Sequence, residues 1–508
     1  MALTTLDLVV FFLFTFVVIG IALWASRHEK DEEDYFLAGR KLTWWLIGFS
    51  LIASNISTEH FVGMAGRGYE LGLAIASYEW MAAITLVIVA IFFLPKFLKA
   101  GIYTIPEFLE YRYSRAARTL MATYMMIIYV VVALASVLYS GSIAIQAIFG
   151  IDMVTAVWIV AILAGIYSIY GGLASVVWSD LFYSIALLLG GVVVTVLGFS
   201  AIGGWEPFAE ASAGRLHTVL PWNHPEMPWV AVFIGGLWIP NLFYWGLNQF
   251  ITQRTLGAKS LADGQKGIIL AAFIKLLIPF IIVFPGIMAA QLYPAQIANA
   301  DAAYPVLMRE LLPTGMRGFM FAALLGAVVS TLDSVLNSAA TIFTMDLYKP
   351  YLKPAATPKQ LVKVGRIATF FLMIIGALWA PVVAGFEGVY TYIQMVQGFI
   401  SPGIVTVFLF GLLWPRVPAG AAIGAMLLGI PVYGALLWTL PDVAFLHHMM
   451  ITFFVLALFI VVWTKVAPLE TPKVLPIRAD AVLETSPRVK LYGSIVVILT
   501  LALYVIFW

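Results

Sequence analysis

The sequence predicts an all-α polytopic membrane protein with 14 transmembrane helices, and three observations carry that prediction. The chain has 508 residues, 62% hydrophobic and only 11% charged, against roughly 25% charged in soluble domains. One large core cannot absorb the excess, because cores stop growing at about 250–300 residues; hydrocarbon is the place left for so much apolar surface. Fourteen stretches are each apolar over roughly the 20 residues that a bilayer-spanning helix needs. Two of them, five spans apart, are interrupted by polar and helix-breaking residues, which divides the middle of the chain into two matched halves.

The elements follow in order within a single membrane domain, 1–508. An extra N-terminal helix covers 6–26. Its apolar run, Leu8 to Trp24, lacks a basic leader and is followed by Arg27 and Lys30, so it reads as a retained span. The first half, 43–203, holds spans 43–66, 71–95, 119–149, 153–170 and 174–203. Between them, residues 102–112 (IYTIPEFLEYR) read as a short interfacial helix with Pro106 in its first turn. The second half, 229–414, holds 229–251, 265–293, 316–347, 366–386 and 389–414, and 417–508 adds three C-terminal helices at 417–439, 447–465 and 490–508. Five is odd, so the second half inserts with opposite topology, as in a 5+5 inverted repeat. The segments 205–228 and 294–315 are long enough to act as lids.

Charge tests the count, because cytoplasmic loops retain Lys and Arg. With the N-terminus outside, inner segments such as 27–41, 96–118, 254–266, 349–366 and 465–490 collect 23 of the 28 Lys and Arg. Only Arg67, Arg215, Arg309 and Arg317 fall outside, and Lys275 lies within a span. One missed span would scramble this asymmetry, so the reading is a cell-membrane protein with both termini on the outer side.

Several classes are excluded. A net charge of +2 gives no general attraction for nucleic acid. The absence of cysteine removes disulfides, thiolate metal sites and cysteine nucleophiles. No H-E-x-x-H, G-x-S-x-G or carboxylate-rich diphosphate motif lies in the spans, so no enzyme is expected. The run Asp31-Glu32-Glu33-Asp34 reads as a solvated loop, and no obligate protein partner is evident.

Polar groups in hydrocarbon cost about 2.5–3.5 kcal/mol for a central charge, so interruptions of the apolar pattern are the informative positions. The second span contains Ala53-Ser54-Asn55-Ile56-Ser57-Thr58-Glu59-His60, then Gly63, Gly66 and Gly68, which suits an unwound helix facing a cavity. The seventh is broken by Gly235-Gly236-Leu237-Trp238-Ile239-Pro240-Asn241, with Pro240 removing a backbone donor. Paired broken helices in two halves point to a transporter, and fit a carrier better than a continuous pore. On the ninth span Ser330, Thr331, Asp333, Ser334, Asn337, Ser338, Thr341 and Thr344 share one face. Hydroxyls can simply pack helices; a buried carboxylate such as Asp333 needs a proton or a cation, and small hard cations prefer oxygen ligands. Glu79, Asp180, Lys275 and Gln394 are isolated polar residues in other spans. Glu79 lies in Ala76-Ser77-Tyr78-Glu79-Trp80, the mixture of polar and aromatic groups that a sugar pocket requires.

Longer runs carry a resemblance. Tyr35-Phe36-Leu37-Ala38-Gly39-Arg40, Gly72-Leu73-Ala74-Ile75-Ala76-Ser77-Tyr78-Glu79-Trp80-Met81, Tyr167-Ser168-Ile169-Tyr170-Gly171-Gly172-Leu173, Gly246-Leu247-Asn248-Gln249 with Gln253-Arg254-Thr255, and Asn337 through Asp346 together make the chain similar to the sodium:solute symporter family. Within it the chain resembles the branch of bacterial sodium/galactose and animal sodium/glucose carriers. The resemblance implies a LeuT-type fold and inward Na+ movement coupled to uptake of a monosaccharide by alternating access. It implies a Na+ site from the backbone carbonyls of Ala53, Ile56 and Ala327 and the hydroxyls of Ser330 and Thr331. It implies that Asn55, His60, Glu79, Asn241, Lys275 and Gln394 hold the sugar, that Tyr244 stacks as inner gate, and that Met64, Tyr78 and Tyr390 close the outer side.

Some positions depart from the bacterial galactose pattern: His60 for glutamine, Ala82 for serine, Tyr390 for phenylalanine, and Asp333 for alanine where inositol relatives carry aspartate. Asp180, Ser330, Asp333 and Ser334 are accordingly expected to form a second cation site, for Na+ or a proton. Another solute, inositol or sialic acid, and a sugar sensor of the same fold are the alternatives.

Overall fold

The computed structural model describes residues 4–26, 37–170, 173–386, 389–476 and 485–508. The acidic run 31–34, the pair Tyr35-Phe36 and the pair Gly171-Gly172 lie outside the described residues. Within them the fourteen apolar stretches are helical over most of their length, and β-pairing is confined to two isolated bridges, Leu42 with Ala258 and Leu220 with Pro228.

Among the described residues, eleven helices are long and apolar enough to cross a membrane, twelve when the pair Tyr392–Gly398 and Ser401–Leu413, bent by 51°, is taken as one span. The sequence reading of fourteen exceeds this at two places. Met153–Gly165 is apolar but short. Glu59–Ala100 runs on as 42 residues, which as one straight helix would be about 63 Å, twice the hydrocarbon thickness. Gly72 divides it at φ 77, ψ −150, a conformation outside the helical region, where the predicted spans 43–66 and 71–95 were separated. The interfacial helix forms as Ile105–Arg112, with the Thr104 hydroxyl accepting from Glu107 N–H at its start.

Leu261–Leu292 is the central post. It packs against Trp44–Asn55, Ala65–Leu71, Ser77–Ile88 and Leu173–Ile202, and 72% of its most apolar window is buried in protein, against 22% for Thr5–Ala22 at the periphery. That contrast fixes which helices meet lipid: Leu6, Phe12 and Phe16 of the N-terminal helix are exposed large apolar side chains.

Both predicted breaks are present. Trp44–Asn55 ends where Ile56 turns extended (φ −83, ψ 95), and the chain resumes as a π-helix, Glu59–Met64, and then Ala65–Leu71. Ser54, Asn55, Ser57 and Thr58 favour the interruption, because short polar side chains compete for backbone hydrogen bonds. The seventh span differs in detail from expectation. It runs as Trp229–Phe233, then an irregular turn, then Trp238–Leu242 and a π-helix Phe243–Leu247, and it breaks again at Asn248 (φ −90, ψ 121) before Gln249–Leu256. Pro240 therefore sits inside a helical first turn, where no backbone donor is needed. Gly235-Gly236 make the first break, and the break at Asn248 follows Gly246 by two residues, a glycine not read as a breaker from the sequence.

Gly236 lies against the backbone of Leu446, whose carbonyl any Cβ would strike. Gly236→Ala is therefore expected to destabilise the protein by about 1–3 kcal/mol through overpacking, seen as a lower thermal midpoint in detergent. Gly20→Ala, with nothing within 4 Å of the added carbon, is the matched control and should leave the midpoint unchanged or slightly raised.

Candidate functional site

A cavity of about 70 Å³ lies at the middle of the bundle between the two broken helices. Asn55 enters it from the last residue of Trp44–Asn55, His60 from the π-helix, and Glu79 from the first turn of Ser77–Ile88. Asn241 comes from Trp238–Leu242, Lys275 from the central post and Gln394 from Val389–Gly398. All six residues expected to hold a solute thus line one cavity, together with Tyr78, Tyr244 and Tyr390. Met64 does not line it; the side chain is wholly buried one turn beyond His60.

The polar groups close on one another. Lys275 Nζ donates to Glu79 Oε2 at 2.5 Å and also to Asn55 Oδ1, and it lies 4.8 Å from the centre of the Trp245 ring. His60 Nε2 is 3.4 Å from Glu79 Oε1. Asn55 Nδ2 donates to the Tyr244 hydroxyl at 3.2 Å, and Asn241 Nδ2 donates to the Leu237 carbonyl at 3.1 Å. The Tyr78 and Tyr390 rings meet edge to face at 5.2 Å. His60 Nδ1 is buried with no hydrogen-bond partner among the described residues, so it is a polar atom in want of a ligand. Ligand pockets usually measure 300–1,000 Å³; a solute of sugar size must part these side chains and take over their hydrogen bonds.

Four lining residues were not singled out from the sequence: Glu59, Trp245, Ile393 and Gln397. Helical spacing would have found three of them, since Trp245 follows Asn241 at i+4, and Ile393 and Gln397 follow Tyr390 at i+3 and i+7.

Next to this cavity the break frees ligands for a cation. The last carbonyls of a helix have no intrahelical donor, and Trp44–Asn55 ends so that only Ile52 regains a bond, from Ile56 N–H. Ala53 contributes one of the released carbonyls. Met316–Ile342 packs on this helix and carries Ala327, Ser330 and Thr331 at i, i+3 and i+4. Thr331 Oγ1 is buried without a hydrogen-bond partner among the described residues, and Ser330 donates its proton to Asp180, leaving its oxygen lone pairs to accept. A donor set of carbonyls and hydroxyls is the chemistry a small hard cation prefers.

The expected second cation site has an occupant that the sequence reading assigned elsewhere. Arg254, counted among inner-loop charges, is wholly buried on Gln249–Leu256. Its guanidinium donates to Ser50 Oγ (2.7 Å), Asp180 Oδ2 (3.2 Å) and Ser334 Oγ (2.5 Å). Ser50 also donates to Asp180 at 2.5 Å. The structure thus brings Asp180, Ser330 and Ser334 together around an arginine, with Asp333 buried on the same helix as the two serines. Pairing with Asp180 is the reason Arg254 is drawn out of the loop, since a buried guanidinium persists only when compensated.

Comparisons with known proteins bear on family and fold. A model of the sodium:solute symporter family matches residues 35–429. A Vibrio parahaemolyticus sodium/glucose cotransporter is 42% identical, over 100% of this chain and 99% of the relative. An uncharacterized symporter of Escherichia coli is 38% identical over 92% and 85%, and the Oryctolagus cuniculus sodium/myo-inositol cotransporter 2 is 34% identical over 84% and 68%. Among solved structures, the substrate-bound, outward-open form of a Na+-coupled sialic acid symporter superposes with a TM-score of 0.82 at 22% identity, over 93% of this chain and 99% of the other. That likeness gives the fold, LeuT-type.

The Lys275–Glu79 pair sets a stability test. Lys275→Met strands a buried carboxylate and should cost about 3–5 kcal/mol, read as a fall in thermal midpoint. Adding Glu79→Gln should restore most of that loss while leaving solute binding abolished.

Proposed function

The chain belongs to the sodium:solute symporter family, and on that premise we propose that it is a secondary active transporter taking up a monosaccharide of glucose or galactose type with Na+. The observation that carries the reading is the meeting of Asn55, His60, Glu79, Asn241, Lys275 and Gln394 in one aromatic-walled cavity, Asn55 standing two residues from Ala53. Planar amide and carboxylate groups suit vicinal hydroxyls, and Tyr244 or Trp245 offers a face for a sugar ring. The 42% identity to a sodium/glucose cotransporter supports the substrate class.

In this mechanism Na+ is cargo, held by carbonyls of Ala53, Ile56 and Ala327 and hydroxyls of Ser330 and Thr331. It joins the end of Trp44–Asn55 to Met316–Ile342. The same helix end presents Asn55 to the solute, so each ligand orders the other's site, a reciprocal coupling. One charge crossing 100 mV contributes about 2.3 kcal/mol and a tenfold Na+ gradient about 1.4, together enough for a few hundred-fold accumulation. The topology proposed with it places both termini on the outer side of the cell membrane.

A second cation at Asp180, Ser330, Asp333 and Ser334 belongs to the same proposal. It would have to displace the guanidinium of Arg254, which now takes the oxygens of Asp180 and Ser334. The aspartate at 333 also favours inositol as the second reading of the substrate, alongside the 34% identical inositol relative.

Reconstituted protein should accumulate labelled glucose or galactose only under an inward Na+ gradient and should show counterflow, which a sensor would not. If only an amino acid or a carboxylate is taken up, the sugar assignment fails. Thr331→Val, which removes one cation ligand, should raise the Na+ concentration for half-maximal uptake about tenfold or more. Reversal potentials should give two charges per sugar for a Na+ second cation and one for Asp333→Ala; one charge in both would remove the second site.

A further inference from the structure

Away from the central cavity, a groove of about 560 Å³ lies between the first half of Leu261–Leu292 and the start of Pro487–Ile506. Lys266 is followed along the central post by Ile269, Leu270 and Phe273, at i+3, i+4 and i+7. Arg488 is followed on the C-terminal helix by Val489, Tyr492 and Ile495, at i+1, i+4 and i+7. The two helices pack together, with Ile269 beside Gly493, so both cations stand at one end of the groove and the apolar residues form its shaft. Trp44 completes the cationic end.

The site has the polarity of a phospholipid: a cationic mouth, aromatics at interface depth, and an apolar shaft of about 10 Å, seven residues of helix rise. Lys266 and Arg488 are exposed, and among the described residues neither forms an ion pair. The neighbouring carboxylate of Asp263 accepts instead from Trp44 N–H at 3.2 Å and from the Ser260 hydroxyl at 2.6 Å. Both cations belong to segments that the distribution of Lys and Arg places on the inner side, where anionic lipids lie.

We propose that this groove binds an anionic phospholipid of the inner leaflet, its phosphate between Lys266 and Arg488 and one acyl chain along Ile269, Leu270, Phe273 and Ile495. A zwitterionic lipid has the same tail, but its choline opposes the two cations. Basic groups near an anionic headgroup contribute about fivefold each in affinity, hence about thirtyfold for the pair.

The test is native mass spectrometry of the delipidated full-length protein with phosphatidylglycerol or phosphatidylcholine added back. Wild type should retain one phosphatidylglycerol in preference to phosphatidylcholine. Lys266→Gln with Arg488→Gln should lose that preference by about thirtyfold, and Leu270→Trp, which fills the shaft and keeps both charges, should lose retention of either lipid. Equal retention of the two lipids by wild type, or a preference unchanged in both variants, overturns the proposal. Thermal midpoints in phosphatidylcholine show that the variants fold. Glycerol phosphate without tails should not compete; competition at equal concentration would make this a soluble-anion site and also overturn the proposal.

Discussion

A peptide group released from a helix inside a membrane has no water to turn to, and that constraint organises this molecule. Chain breaks are tolerable in hydrocarbon only where protein or cargo supplies the missing partners. The break at Ile56 is buried where the central post and the Met316–Ile342 helix, with its buried hydroxyls, pack against Trp44–Asn55, rather than exposed to lipid. The interruptions at Gly235-Gly236 and Asn248 are likewise enclosed. The cavity, the cation ligands and the burial of the central post all follow from keeping those interruptions away from hydrocarbon.

One short helix joins the two buried charge clusters. From Trp44–Asn55, Ser50 and Ser54 reach Asp180, at 2.5 Å and 3.4 Å, while Asn55 bonds with Lys275 and Tyr244. Arg254–Asp180 and Lys275–Glu79 therefore both hold the same element, within two turns of its broken end. Buried ion pairs are weak contributors to stability as such; here each fixes the position of a helix end that must present its ligands in register.

Much of this was legible in the residues. Apolar run length and the bias of Lys and Arg set the helical architecture, and the polar stretch around Asn55 located the first break. The residues of the central cavity were noticed because Glu79 and Lys275 are expensive in a membrane and so conspicuous. Arg254 was misplaced for the opposite reason: at the edge of an apolar run it resembles an ordinary loop charge, and only the fold shows Asp180, 74 positions earlier, facing it. The break at Asn248 escaped because the one glycine near it, Gly246, is ordinary inside a membrane helix, and Pro240 misled because a proline in a first helical turn breaks nothing. Span number is the least determined quantity, since a helix that restarts after a break and one that turns at Gly72 have the same composition.

The mutual bonding of Lys275, Glu79, Asn55 and Tyr244 bears on the half of the cycle in which nothing is carried. A carrier must return unloaded, and the reset stroke would be slow if it dragged a naked ammonium and carboxylate through a changing environment. Here the two charges neutralise each other when the cargo has left, so neither member of this pair is left bare. Turnover then depends on the ease with which four side chains re-form their own contacts, and a solute that dissociates without allowing that closure would jam the protein rather than pass through it.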